Sequence, residues 1–126
     1  MKNIIGIGNA LVDAIIFLHD DHLLETFSLP RGSMQLVDAA VAAGIEAASA
    51  GLTRHRASGG SAANTIHGLA RLGVQTAFLG TVGNDEPGEF FATDLRQSGI
   101  LPLLDRSASP TGTSRALVSP GGARTM

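Results

Sequence analysis

The chain has 126 residues, with 9 Lys and Arg against 11 Asp and Glu, so its formal charge is −2 at pH 7. Apolar residues make up 44% of the sequence, which is enough for a hydrophobic core and excludes a mainly disordered chain. The absence of cysteine excludes disulfide scaffolds, thiolate zinc sites and cysteine nucleophiles, and the slightly acidic balance argues against binding to nucleic acid.

The first half of the chain is predicted to contain two strands and a helix. Residues 2–8 are rich in β-branched isoleucine and bounded by glycine, which indicates a buried strand, the first central strand of an α/β sheet. Residues 14–18 form a second apolar run, far shorter than the roughly 20 residues of a membrane helix. Residues 37–52 are rich in alanine and include Asp38, so we expect a helix with that carboxylate as its N-cap. Since no segment would enter a membrane, a cytoplasmic protein is expected.

The second half alternates helices and strands and then ends in a hairpin. The predicted elements are a basic loop or short strand at 53–57, a helix capped by Ser61 and ending at Gly73, a strand at 76–82, a helix capped by Asp85 and ending at Gly99, a strand at 100–104, and a hairpin with strands at 113–119 and 123–126. The last strand stops soon after its turn, which would leave its ladder partners unpaired. We therefore expect the chain to be the front part of a longer protein, and the isolated chain to dimerise or aggregate through unpaired strands.

Two polar side chains, Asn9 and Asp13, follow the first predicted strand, at the position where ligands bind in open α/β sheets. A dinucleotide site would need a third glycine where Leu11 stands, so that interpretation is rejected. A carboxylate accepts hydrogen bonds from neighbouring hydroxyls, and an amide both donates and accepts, which suits a sugar ring. The other interpretation, that both side chains only satisfy local turn amides, is equally compatible with the spacing.

A second candidate site is the glycine-rich stretch at residues 58–64. Gly59 and Gly60 leave two peptide groups open to a ligand, and the helix N-terminus that follows favours electronegative atoms. Asn64, one turn inside that helix, would point toward the same space as the end of the first strand. The alternative is a plain helix cap with Asn64 bonded locally. No Gly-Lys-Ser or Gly-Lys-Thr sequence occurs, which excludes a Walker phosphate loop.

Four motifs occur in order along essentially the whole chain. They are Gly8-Asn9 with Asp13, Ser58-Gly59-Gly60-Ser61-Ala62-Ala63-Asn64-Thr65 with Leu69-Ala70-Arg71-Leu72-Gly73, Gly80-Thr81-Val82-Gly83-Asn84-Asp85-Glu86-Pro87-Gly88, and Pro110-Thr111-Gly112-Thr113. Together they resemble the ribokinase-like (PfkB) family of carbohydrate and nucleoside kinases. The Asn-x-x-x-Asp spacing and the Gly-Gly-Ser sequence are closer to the adenosine-kinase-like branch than to ribokinase.

The resemblance implies an α/β fold: a three-layer α/β/α ribokinase-like (Rossmann-like) sheet with a small β lid, its C-terminal half absent from this chain. Residues 1–126 would be the N-terminal portion of a single kinase domain, with lid strands around 14–35 and 105–126. A sugar or nucleoside substrate would be held by Asn9, Asp13, Gly59, Gly60 and Asn64. ATP and Mg²⁺ would serve the intact enzyme, with the nucleotide site largely outside this chain. A homodimer through the lid strands is also expected, and no membrane partner.

The catalytic segment of the resembled family, Gly-Ala-Gly-Asp, has no counterpart in this sequence. None of the aspartates lies in that context; they stand at positions 13, 20, 21, 38, 85, 94 and 105. No catalytic residue and no metal ligand is therefore assigned. The intact protein is expected to transfer phosphate from ATP, and the alternative is a non-catalytic module that binds a sugar or nucleoside or dimerises.

Overall fold

The computed structural model describes residues 3–126, so Lys2 of the predicted first strand lies outside the described residues. Along these residues the elements are β1 (Asn3–Ile7), β2 (Leu11–Phe17), α1 (His22–Thr26), α2 (Ala39–Ala48), β3 (Arg54–Gly59), α3 (Ser61–Arg71), β4 (Gln75–Gly83), α4 (Glu86–Gln97), β5 (Ile100–Ser107), β6 (Gly112–Val118) and β7 (Arg124–Thr125). The predicted α/β alternation is confirmed, with the basic segment forming strand β3.

The chain divides into two compact units. Unit 1 holds the described residues up to Asp13 together with Ala57–Ser114, and unit 2 holds Ala14–Arg56 and Arg115–Met126. The boundaries between the units fall inside strands β2, β3 and β6. The strands form a three-stranded parallel sheet in the order β1-β4-β5 and a four-stranded sheet in the order β3-β2-β6-β7.

Unit 1 is built on the parallel sheet, with α3 and α4 packed on one of its faces. Inward side chains alternate along the strands, so Phe78 and Ile100 meet Ile66 of α3 and Phe91 of α4 in a buried core. The rings of Phe78 and Phe91 pack with their centroids 5.5 Å apart. Of the three expected layers, the described residues form the sheet and one helical layer.

The other face of this sheet is uncovered in the part of the chain that the structure describes. Register places Ile7 beside Leu79 and Leu79 beside Leu103, and Ile7 is 72% exposed. The prediction of a buried, central first strand is therefore wrong for these residues: β1 lies at one edge of the β1-β4-β5 sheet and is covered on one face only. The isoleucine pattern shows that both faces are apolar, but it does not show what covers them.

Unit 2 has its own core beneath α1 and α2. Its buried residues are Ile16, Leu18, Leu24, Leu29, Ile45 and Leu117. Helix α2 begins where the sequence predicts, because the carboxylate of Asp38 accepts a hydrogen bond of 2.8 Å from the backbone N–H of Val41.

The two helices of unit 1 begin in different ways. Asp85 caps α4 as predicted, and its carboxylate accepts from the backbone N–H of Gly88. The prediction that Ser61 caps α3 is wrong, since Ser61 is already the first helical residue and Gly60 occupies the N-cap position with φ of 97°. A backbone angle in that region strongly favours glycine, which explains why no capping side chain is present.

Backbone hydrogen bonds connect the last residues of the chain to β6 and to residues 33–35. Leu117 and Val118 of β6 pair with β7. Beyond β7, the backbone N–H of Met126 donates to the carbonyl of Ser33 at 2.9 Å, and the N–H of Gln35 donates to the carbonyl of Met126 at 2.8 Å. The segment that supplies these bonds is far away in sequence and has no strand pattern of its own. Among the described residues, no helix is long and apolar enough to cross a membrane.

Candidate functional site

Asp13 lies in β2, against the backbone of Gly59 at the end of β3. A side chain at Gly59 would overlap both carboxylate oxygens of Asp13, so glycine is required for this approach. Gly59 is buried, whereas Asp13 is half-buried. The structure thus brings together one residue from each of the two predicted site segments.

Asn9 and Gly60 form a second contact between the same two segments. A Cβ atom at Gly60 would come within 2.6 Å of the carbonyl oxygen of Asn9, and the positive φ of Gly60 makes room for this approach. The carbonyl of Gly60 in turn accepts a hydrogen bond of 2.9 Å from the backbone N–H of Asn64. The side chains of Asn9 and Asn64 are both exposed. Thus backbone contacts link Asn9, Gly60 and Asn64.

Three polar side chains of these segments have no hydrogen-bond partner among the described residues. Within the described residues, the side chains of Asn9, Asp13 and Asn64 make no hydrogen bond and no ion pair. Burial without a compensating donor raises the pKa of Asp13 above its ordinary value of 3.8. The local explanations, in which these side chains satisfy turn amides or cap their own helix, are therefore not what the structure shows. Their assignment to a ligand stays a prediction.

A hollow of about 610 Å³ opens at the carboxyl ends of β1, β4 and β5. It is lined by Ile7, Gly8, Asn9, Ala10, Leu11, Leu79, Gly80, Thr81, Asp105 and Gly112. Thr81 and Asp105 are register partners and both are exposed, and the sequence reasoning did not assign them to a site. The signal that could have found them is their position at the carboxyl ends of adjacent parallel strands, where ligands of open α/β sheets bind.

No group of three His, Cys, Asp or Glu residues that could hold a metal ion occurs in residues 3–126. In unit 1, a parallel sheet with helices on one face has exposed polar side chains at its carboxyl edge, which is where ligands of open α/β sheets bind.

Comparison with known proteins identifies the family. Residues 34–126 match the pfkB family of carbohydrate kinases. Over 57 residues, or 43% of this chain, the sequence is 44% identical to 5-dehydro-2-deoxygluconokinase from Geobacillus kaustophilus, and the match covers 17% of that protein.

Solved structures of kinases also match almost the whole chain. The adenosine kinase from Sinorhizobium meliloti is 35% identical with a TM-score of 0.77, and the match covers 98% of this chain and 38% of that one. The adenosine kinase from Anopheles gambiae, solved in complex with P1,P4-di(adenosine-5) tetraphosphate, is 25% identical with a TM-score of 0.78 and coverages of 96% and 37%. The chain belongs to the pfkB carbohydrate kinase family, and the predicted ribokinase-like fold and adenosine-kinase-like branch are confirmed. It spans well under half the length of these kinases.

Proposed function

We propose that this chain carries the substrate-binding part of an ATP-dependent kinase that phosphorylates a hydroxyl group of a sugar or nucleoside. The observation that carries the proposal is Asp13, a half-buried carboxylate without an internal hydrogen-bond donor, held against the backbone of Gly59. A pair of neighbouring hydroxyl groups on a ring would supply the missing donors. Family membership supports phosphoryl transfer as the reaction.

Each site residue has a distinct part in binding. The carboxylate of Asp13 accepts from ring hydroxyls, while the exposed amides of Asn9 and Asn64 donate to and accept from the same ring. Gly59 and Gly60 bring the two binding segments together, because a side chain at either position would overlap Asp13 or Asn9. A bond to a charged group contributes about 1.5 to 3 kcal/mol, so Asp13 is expected to dominate affinity.

Part of the chain is also proposed to serve as a lid in this kinase. A lid over the substrate is useful because water would otherwise accept the phosphoryl group in place of the substrate hydroxyl. The segments that supply the lid are residues 14–35 and the hairpin of β6 and β7.

ATP would supply the phosphoryl group, and Mg²⁺ would neutralise the charge that develops on it. The described residues contain no acidic cluster for the metal and no aspartate in a catalytic context, so both groups are assigned to the part of the kinase domain outside this chain. Reliance on ATP is the reason for proposing a cytoplasmic enzyme. The isolated chain is therefore proposed to bind substrate and to transfer nothing.

The test compares substrates and site variants in the full-length kinase. Ribose, fructose, adenosine and 5-dehydro-2-deoxygluconate are assayed for ATP-dependent phosphorylation, the last because of the sequence match with that kinase. Asp13→Asn should raise KM for the preferred substrate roughly tenfold or more, whereas Asp38→Asn, a helix cap in unit 2, should leave it unchanged. Absence of turnover on sugars and nucleosides would contradict the reaction, and an unchanged KM in Asp13→Asn would contradict the site.

A further inference from the structure

Asp85 does more than cap α4. One carboxylate oxygen accepts from the backbone N–H of Gly88 at 2.9 Å and from the hydroxyl of Thr111 at 2.5 Å. The other oxygen accepts from the backbone N–H of Thr111 at 2.8 Å. A helix cap requires only the first of these bonds. The two bonds to Thr111 join the start of α4 to the segment that leads into β6.

Thr111 completes the connection from its own side. Its hydroxyl accepts a hydrogen bond of 2.8 Å from the backbone N–H of Gly83, and the residue is only 6% exposed. The junction is tightly packed, since a Cβ atom at Gly83 would come within 2.6 Å of the carbonyl of Ser109. We call this arrangement of Gly83, Asp85 and Thr111 the clasp. Hydrogen bonds from Thr111, the strongest influence, hold the pKa of Asp85 below its ordinary value, so the carboxylate is charged at neutral pH.

The residue after the clasp lines the hollow at the carboxyl ends of β1, β4 and β5, to which Asn9 contributes but Asp13, Gly59, Gly60 and Asn64 do not. Gly112 packs so closely against β2 that a Cβ atom there would come within 2.5 Å of the side chain of Leu11 and 3.5 Å of the carbonyl of Ala10. All three residues line the hollow together with Asn9. Where the clasp holds Thr111 therefore decides where Gly112 meets the short segment between Asn9 and Asp13.

We propose that Asp85 is a positioning residue for substrate binding, which acts through Thr111 and Gly112 on the segment that carries Asn9 and Asp13. The substrate in this inference rests on the proposed function, whereas the effect of Asp85 on the position of the segment does not. Asp85 makes no contact with the site itself. Its effect is to keep one wall of the hollow at a fixed distance from the binding residues, because an ionised carboxylate with three donors leaves Thr111 little freedom.

One variant separates the clasp from the cap. Asparagine is as good an N-cap as aspartate, so Asp85→Asn keeps the bond from Gly88. In that orientation its NH₂ group faces the backbone N–H of Thr111, and two donors oppose each other. Asp38→Asn is the matched control, because Asp38 caps α2 through a single bond to Val41. At Thr111, valine removes the hydroxyl from the clasp and serine restores it.

The experiment measures kinetics and amide hydrogen exchange in the full-length kinase. Asp85→Asn and Thr111→Val should raise KM for the substrate roughly tenfold with little change in kcat, since a displaced wall weakens binding before and during the transition state alike. Thr111→Ser should restore the wild-type KM. Exchange in peptides covering residues 8–13 and 109–114 should accelerate several-fold in the first two variants and stay unchanged in Asp38→Asn.

The two readouts distinguish the two proposals. If the wild-type kinase turns over none of the substrates, the proposed function fails, and hydrogen exchange at residues 8–13 still decides whether the clasp positions that segment. Unchanged exchange at residues 8–13 in Asp85→Asn would overturn the positioning role, whatever the activity. If hydrogen exchange changes but KM does not in an active kinase, the role of Asp85 in substrate binding is overturned.

Discussion

A half-buried carboxylate without hydrogen-bond donors is less favourable in the free protein than a neutral group of the same shape, and Asp13 is in that position. We predict that Asp13→Asn stabilises the free chain at pH 7 while it weakens substrate binding roughly ten- to a hundredfold. Because the folded pKa of Asp13 is raised, the stabilisation should be largest above that pKa and should shrink as the pH falls toward 3.8, the ordinary value. Thermal unfolding at several pH values and substrate titration measure the two effects, and an unstable Asp13→Asn protein at pH 7 would contradict the first.

The two glycines of the site, Gly59 and Gly60, should tolerate substitution far less well than Gly68 in the middle of α3. Gly60→Ala should destabilise the chain by about 1 to 3 kcal/mol, because the residue has positive φ and no room beside Asn9. Gly59→Ala should displace the Asp13 carboxylate and abolish substrate binding. In contrast, nothing lies within 4 Å of a side chain at Gly68, so Gly68→Ala should stabilise the helix by about 0.5 to 1 kcal/mol. Chemical denaturation measures the free energy of unfolding of the Gly60 and Gly68 variants, and substrate titration measures binding by Gly59→Ala. Equal changes in stability at Gly60 and Gly68 would argue against a special backbone at the site.

The elements of unit 2 are held together by charges as well as by a core. Glu46 of α2 forms ion pairs with Arg54 of β3 and Arg115 of β6. Burial, the largest single influence, raises the pKa of Glu46, but the hydrogen bonds and charges of Arg115 and Arg54 together bring it below the ordinary value of 4.5. The carboxylate therefore links a helix to two strands.

Removing this link should have a small effect that depends on pH. The side chain of Glu46 is 45% exposed, so Glu46→Gln should lower the free energy of unfolding by no more than about 1 kcal/mol. Since the folded pKa is lowered, the difference should be full above pH 4.5 and vanish as the pH falls through the folded pKa. Glu25→Gln is the control, because Glu25 makes no ion pair with any residue in the described range 3–126. A difference that persists in acid would exclude the charge as its cause.

The elements that the sequence predicts well are those whose signals are local. Asp38 and Asp85 cap helices through backbone groups three residues away, so their roles follow from spacing alone. The role of Gly60 depends on a backbone angle that forms only when the chain turns past Asn9. The second partner of Asp85, Thr111, is 26 residues away and no periodicity indicates it.

The same distinction applies to the site. The residue types of Asn9, Asp13 and Asn64 and their position after a strand and a glycine pair were enough to predict a binding site. The sequence alone was equally compatible with local hydrogen bonds for these side chains, because the absence of internal donors becomes visible only in the folded chain. The prediction that β1 is buried was wrong for a related reason. An apolar pattern along β1 shows that both faces of the strand favour burial, but it does not show which part of the protein covers them.

Seen as a whole, the chain exposes an apolar sheet face that water does not favour. We predict that the isolated chain self-associates and binds a hydrophobic fluorescent dye through the row Ile7, Leu79 and Leu103. Replacing all three with threonine, which keeps strand propensity, should abolish dye binding and give a monomer in light scattering. Leu72→Thr is the control, because this residue is 80% exposed at the end of α3 and lies outside the sheet.

Two outcomes of that experiment would contradict the sheet face as the cause. Wild-type chain that is monomeric and binds no dye would show that the face is tolerated in water. If the triple variant still dimerises, the result would instead favour the predicted dimer contact through the lid strands.

The division of the chain into units has a consequence for the design of chimeric enzymes. Each unit consists of two separate stretches, and all three junctions lie within strands β2, β3 and β6. Transplanting unit 2 from a relative to change substrate preference would therefore need two coordinated grafts, with every splice made in mid-strand. A splice that gains or loses one residue would turn each following side chain to the opposite face of its strand, so only length-matched donors are suitable.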